Sequence, residues 1–288
     1  IKTARYIGNK WGGKYLRAPD IYFTILEKGK GKLVRLGDIA EVRFGIKTGA
    51  NEFFYLDEER IKRWGIEDEF LRPVIKSPKE CRRILIDPKD LKFKLFMCHK
   101  EKGELKGTAA LEYIKWGESE RFHERPTCAG RARWYEVGVE MANSLFVKEA
   151  NDSSAVFYNP MNLPVDCRLY CASLPFAALL FLNSSVATMM FEVYNRAALG
   201  EGARSLMVAD YNQVPCLKNE ISDQDGRSLI NAISCLEPRQ TNNLKSIEWM
   251  ALDKAIFDAL GLTQGERDAV YEAVVSLVEA RLKKAGSV

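Results

Sequence analysis

Histidine is nearly absent: two, His99 and His123, in 288 residues. Neither histidine stands in a Ser or Cys nucleophile context, so no hydrolytic triad is offered. The seven cysteines are an odd number and form no C-x-x-C pair. Cys167 and Cys171 could open a metal site, but no histidine lies near them in the chain, so reduced core thiols are the expectation. No apolar run reaches bilayer-spanning length. The richest, residues 174–191, is interrupted by Asn183, Ser184, Ser185 and Thr188 and reads as buried helix. There is no signal-peptide pattern, no long-period repeat and no initiator methionine, so the chain is expected to be a fragment of something larger.

Three catalytic patterns are also incomplete. A phosphate-cradling loop needs G-x-x-x-x-G-K-[ST] ahead of a helix. Residues 43–56, RFGIKTGANEFFYL, instead place Lys47 and Thr48 before the second glycine, and FFYL reads as a strand where a helix should begin. A strand–loop–strand turn is expected, since Gly45 and Gly49 tolerate positive φ. Such a loop could still offer Lys47, Thr48 and Asn51 to DNA. Asn159-Pro160-Met161-Asn162 approaches the N-P-P-[YF] signature of amino-methyltransferases but lacks the second proline and the stacking aromatic. It reads as a β-turn. Asp90 with Glu104 and Lys106 has the spacing of a D…E-x-K magnesium nuclease, yet Gly103 and Gly107 bracket the E-x-K as a turn would.

What is present is charge, unevenly spread. Residues 1–150 carry 31 Lys+Arg against 23 Asp+Glu, and residues 151–288 carry 12 against 16. A basic half joined to a mildly acidic half fits one part facing a polyanion and another with structural work. Residues 28–32, KGKGK, read as a flexible basic linker. From Leu33 the pattern favours strands: LVRLGDIAEVRFG, FFYL, CRRILIDP, LKFKLFMCH, SLFVKEA and AVFYNP, with CRLYCAS expected to pair with AVFYNP. Residues 107–138 read as irregular, aromatic and basic. Pro175 suits a helix start, Ser184 can cap the next helix, and Thr263 to Glu266 match a capping box opening a long final helix. The best binding chemistry lies in RFHERPTCAGRARWY, residues 121–135. Its arginines can fork onto guanine edges or phosphates, and its Trp and Tyr offer stacking faces. A basic surface loop anchored by Trp134 would look the same.

Several phrases together resemble a known family: NKWGGKYLRAPDIYF, LGDIAEVRFGIKTGANEFFYL, RARWYEVG, LFLNSSVATMMFEVYNRAALGEGARSLMVADYNQVPCL and ALDKAIFDALGLTQGERDAVYEAVVSLVEAR. They are similar to the region following the catalytic domain of TaqI-type and Eco57I-type adenine-N6 DNA methyltransferases of restriction–modification systems. They are also similar to one half of a type I restriction specificity subunit. The resemblance implies an α/β (α+β) fold: a mixed, irregular β-sheet recognition domain with packed helices, followed by a helical C-terminal region. Boundaries expected from it are 1–30 for a linker, 31–217 for target recognition and 218–288 for helices. It implies a sequence-specific DNA-binding role in a cytoplasmic, prokaryotic protein. Double-stranded DNA and an N-terminal methyltransferase domain of the same parent would be partners, with no membrane involved. S-adenosylmethionine would belong to that other domain, with no cofactor, metal or catalytic residue in this chain. As implied roles, Lys10, Lys14 and Arg17 meet phosphates, and Lys47, Thr48 and Asn51 project from the glycine loop. Arg131 and Arg133 read base edges with Tyr135 stacking, and Arg196 and Arg204 reach phosphates. Alternatives are a type I specificity subunit or a magnesium nuclease using Asp90, Glu104 and Lys106.

Overall fold

The computed structural model describes residues 17–139, 141–197 and 202–285. They form a mixed α/β fold of short antiparallel sheets among helices, ending in a helical region. The described residues divide into two units: those of 42–147 with 157–173, and those of 17–41, 148–156 and 174–285.

The 42–173 unit is organised by an aromatic core. Phe53, fully buried, touches Phe54, Phe96, Tyr113, Trp116, Phe122 and Trp134 within 4.6–6.4 Å between ring centroids. Each such ring removes a large apolar area from water, and tilted or edge contacts add to that burial. The core explains why FFYL is not a four-residue strand. Asn51–Phe54 makes one helical turn that sends both Phe53 and Phe54 inward, and only Tyr55–Leu56 continue as strand. That strand pairs with Phe93–Phe96, which pairs in turn with Leu71–Val74.

The expected irregularity of residues 107–138 is also corrected. Ala109–Ser119 is a helix capped by the Thr108 side chain, which accepts from Leu111 N. Gly117 inside it is a packing glycine: a Cβ there would lie 2.5 Å from Trp134 and 2.7 Å from Phe53. CRRILIDP forms no strand. Proline-led 3₁₀ turns at Pro78–Glu80 and Pro88–Asp90 flank it, and Leu85 makes only an isolated bridge to Tyr158.

A second sheet in this unit runs in the order Arg43–Phe44, Leu169–Ala172, Ser144–Val147, Val156–Tyr158. CRLYCAS therefore pairs with Ser144–Val147, with Leu145 opposite Cys171, and that strand separates it from AVFYNP. Residues 159–162 are a turn closed by Asn162 N to Asn159 O, with Asn162 at φ 49°. The Asn159 amide is consumed internally: it donates to the Ala142 and Leu163 carbonyls and accepts from Leu163 N.

The other unit is mainly helical. The apolar stretch around residues 174–191 folds as two buried helices, Phe176–Leu182 and Ser185–Tyr194, bent 69° apart. Among the described residues no single helix is long and apolar enough to cross a membrane. Ser184 caps the second helix as expected, through Ala187 N. In Gln264–Ala285 the capping box forms: Glu266 accepts from Thr263 N at 2.6 Å and Thr263 Oγ1 from Glu266 N at 3.4 Å. Asp253, fully buried, accepts from Ser185 N, Ser185 Oγ, Tyr271 Oη and the Arg239 guanidinium, tying three helices together. LVRLGDIAEVRFG breaks into the strand Leu33–Arg35, a helical turn at Leu36–Ile39 and the strand Arg43–Phe44. KGKGK is pinned where a flexible linker was expected. Lys28 pairs with Glu266 at 2.6 Å, and Lys32 donates to the Ala259 carbonyl at 2.6 Å.

Candidate nucleic-acid interface

The glycine loop is a built feature of the 42–173 unit. At Gly45 the backbone lies against residues 165 and 166, so close that a Cβ would sit 2.4 Å from the carbonyl oxygens of both. The approach is closed by Ile46 N donating to Val165 O at 2.6 Å and Cys167 N to Ile46 O at 3.0 Å. Gly49 has φ 83°, and a Cβ there would lie 2.6 Å from Thr127 Cβ. Both glycines are thus required, one by close approach and the other by its left-handed backbone. The one-turn helix that follows is too short to act as an anion site.

Arg131 holds this loop from behind. Its guanidinium donates to the Thr48 carbonyl at 2.7 Å, the Lys47 carbonyl at 3.0 Å and the Trp134 carbonyl at 3.3 Å, and lies over the Phe54 ring. Thr48 is buried, its hydroxyl bonded to Asn51 Oδ1 at 2.5 Å. With the carbonyls turned inward, the Lys47 and Asn51 side chains remain exposed. Asp166, also buried, braces the far side. It accepts from Tyr55 Oη at 2.5 Å and from Arg168 N at 2.8 Å. Burial first, and then the Asp166 carboxylate, push the Tyr55 hydroxyl far above the ordinary phenol range. Arg168 itself stays exposed, its Nε 3.9 Å from Asp166. Arg125 forks onto Glu52 at 2.9 and 3.4 Å, and this hydrogen bond holds the Glu52 carboxyl below its usual range.

The structure therefore brings together Lys47, Thr48, Asn51 and Arg131, leaving Lys47 and Asn51 exposed but turning Thr48 and Arg131 to the loop itself. Arg131 is a loop clamp in this state where base-edge readout was expected. Arg133 is paired with Glu101 and Glu136. Tyr135 is 2% exposed, its hydroxyl donating to the Lys100 carbonyl, which leaves no free face for stacking. Residues 121–135 match the anchored-loop alternative, with Trp134 packed on the core and its Nε1 donating to Glu118.

In the other unit Arg17 donates to the Val193 and Asn195 carbonyls at 3.1 and 2.7 Å. Burial lowers its pKa against the raising effect of Glu192. Arg204 is 3% exposed, paired with Glu192 at 3.4 Å and stacked over Phe191, so a phosphate role is corrected to a structural one. Arg196 forks onto Asp210 at 2.7 and 2.9 Å but remains half exposed. Lys10 and Lys14 lie outside the described residues. Sequence reasoning did not single out Arg168, which follows the buried Asp166 that braces the loop, and named Arg125 only within residues 121–135, where it pairs with Glu52.

The nuclease alternative finds no assembled centre. Asp90 accepts from Arg83 at 2.8 Å, and Glu104 caps Glu101 N at 2.7 Å. Among the described residues no three His, Cys, Asp or Glu side chains come together as a metal site.

Comparison with known proteins gives a consistent outcome. The sequence matches the family described as Type II methyltransferase M.Eco57I, C-terminal domain, over residues 8–207. It is 23% identical over 258 residues to the type II methyltransferase M.AccI of Acinetobacter calcoaceticus, covering 87% of this chain and 42% of that protein. The structure is similar to that of the type IIG restriction endonuclease BpuSI, with TM-score 0.63 and 13% identity, over 93% of this chain and 33% of that one. The chain thus spans well under half of either protein, and the likeness to BpuSI is one of fold. On the family match across most of its length, the chain belongs to the C-terminal domain family of M.Eco57I-type type II methyltransferases.

Proposed function

We propose that this chain recognises a specific sequence of double-stranded DNA for a type II restriction–modification methyltransferase. In this reading it positions a target adenine for N6-methylation by a catalytic domain of the same parent protein. S-adenosylmethionine would be bound by that domain, and the protein would act in a prokaryotic cytoplasm. The observation that carries the reading is family membership over residues 8–207, joined to a rigid glycine loop that exposes Lys47 and Asn51. Lys47 is suited to a phosphate as a point charge, and Asn51 to a base edge or backbone oxygen as donor and acceptor. Arg168, exposed beside the buried Asp166, lies on the stretch that braces the loop. Arg131 acts through the loop as a positioning residue, and Asp166 does so from its other side.

The test is selection from a randomised duplex library by the full-length protein. One enriched motif is expected, with Asn51→Ala relaxing a position of that motif and Lys47→Ala weakening all duplexes alike while flattening the salt dependence. Enrichment of no motif by a folded protein would overturn the reading.

A further inference from the structure

Residues 165–168 run between two other backbone stretches. Ile46 bridges to Asp166 and Ile75 to Val165, and Asp166 N donates to Ile75 O at 2.9 Å. Side chains alternate along extended backbone, so Asp166 and Arg168 share a face, and Lys76, one residue beyond the Ile75 bridge, joins them there. Ring contacts place Lys76 independently. Its ammonium lies 3.6 Å from the Phe93 ring centre and 5.1 Å from that of Tyr55, whose hydroxyl donates to Asp166. Burial first, and then the Arg168 charge, lower the Lys76 pKa against the raising effect of Asp166, Glu80 and Asp57. Two cations are therefore neighbours, and neither side chain donates a hydrogen bond to any of the described residues. The Arg168 Nε stands 3.9 Å from Asp166, beyond hydrogen-bond reach.

The carboxylates beside them are already engaged. Asp166 accepts from Tyr55 Oη and Arg168 N, and Asp57 from Arg60 N. Glu80 is buried and accepts from the backbone N–H groups of Lys76, Ser77 and Lys92. A carboxylate held by such donors has its charge answered locally, whereas the ammonium and the guanidinium keep their donors unspent. An anion from outside completes the set. A guanidinium fork matches two oxygens of a tetrahedral oxyanion, and an ammonium adds a point charge. We propose that Lys76 and Arg168 form a clamp for one backbone phosphodiester of bound duplex DNA, with buried Asp166 as the positioning residue between them. The inference rests on the DNA-recognition reading above and adds to it a phosphate site away from the glycine loop's own side chains.

The experiment measures fluorescence anisotropy of the full-length protein on its selected duplex and on a scrambled one, across a range of salt concentrations. Lys76→Met keeps an apolar stem on the Phe93 ring, and Arg168→Gln alters an exposed side chain, so both should fold; thermal melting checks this, and Arg168→Gln carries the test if Lys76→Met does not. Each variant is expected to weaken both duplexes alike, by roughly three- to tenfold at physiological salt. Because the two cations share one phosphate, the double variant should flatten the slope of log affinity against log salt by about 0.9 and no further. Arg168→Lys should keep the slope and lose part of the affinity, since an ammonium cannot fork. Methylphosphonate substitution then neutralises the duplex phosphates one at a time. At one position it should weaken the unaltered protein and leave the double variant unaffected. Inorganic phosphate at matched ionic strength should not displace the duplex. Displacement from the unaltered protein but not from the double variant would assign the pair to free phosphate and overturn the clamp. Unchanged affinity in the folded variants, or a loss confined to the selected duplex, overturns the clamp alone. Absence of binding to any duplex by the unaltered protein overturns the DNA-recognition reading and this inference with it.

Discussion

Replacing Arg131 by alanine separates two roles that an arginine beside a loop proposed to face DNA can have. Its guanidinium donates to three carbonyl oxygens, of Thr48, Lys47 and Trp134, and lies over Phe54. A hydrogen bond to a charged group contributes about 1.5–3 kcal/mol. The bond to Lys47 is exposed, so water replaces much of it. The bond to Thr48 is partly buried, and the Trp134 bond is long. With about 0.5–1 kcal/mol for the ring contact, the expected loss of stability is about 2–4 kcal/mol. Urea denaturation should show a lower midpoint at unchanged slope. Because the loop then loosens, Lys47 and Asn51 should lose position together, and duplex affinity should fall on every sequence tested. Arg131→Lys should be intermediate, since an ammonium is a point charge and cannot make the same planar fork. A stability change below about 0.5 kcal/mol, with affinity lost only when one base pair is varied, would refute the clamp and restore base readout.

Other expectations follow from the same geometry. Gly49→Ala combines a φ of 83° with a Cβ placed 2.6 Å from Thr127, and should cost about 1–3 kcal/mol in urea denaturation. Asp253→Ala would strand the fully buried Arg239 charge that now pairs at 2.9 Å, with an expected loss of about 3–5 kcal/mol by the same measurement. Glu52 has a folded-state pKa held down by Arg125, so its contribution is present above the ordinary carboxylate range. It is lost as pH falls from about 4.3 through the folded value. Glu52→Gln should lower the neutral plateau slightly, by at most about 1 kcal/mol for so exposed a pair, flatten the acid limb and leave stability at the acid end unchanged.

Local rules read well from the sequence. The Thr263–Glu266 capping box, the Ser184 cap and the turn at residues 159–162 depend on neighbours a few residues apart, and all three form. Elements decided by distant partners were not legible. Phe53 and Phe54 have the composition of a strand, but the aromatic core wants both rings on one side, and a helical turn is what delivers them there. Residues 107–138 read as irregular because nothing in the flanks of Gly117 announces that Trp134 and Phe53 will press against it inside a helix. Pairing CRLYCAS with AVFYNP was reasonable for a hairpin, yet the strand Ser144–Val147 comes between them. In the site, the loop and its exposed Lys47 and Asn51 were visible from glycine spacing. The arginines were not separable by type, since the same guanidinium that forks onto guanine forks equally well onto Thr48 O or Asp210. Arg204 and Arg17 turned inward because carbonyls and Glu192 awaited them, partners far away in sequence.

The central claim, that this chain carries DNA sequence specificity, is tested most directly by exchange. Residues 8–207 of the full-length protein would be replaced by the matching region of M.AccI, and the methylome of a host expressing each version sequenced. N6-methyladenine is expected at one motif for the original protein, and at the motif of M.AccI for the exchanged one. A methylated motif that stays the same after the exchange would contradict the account.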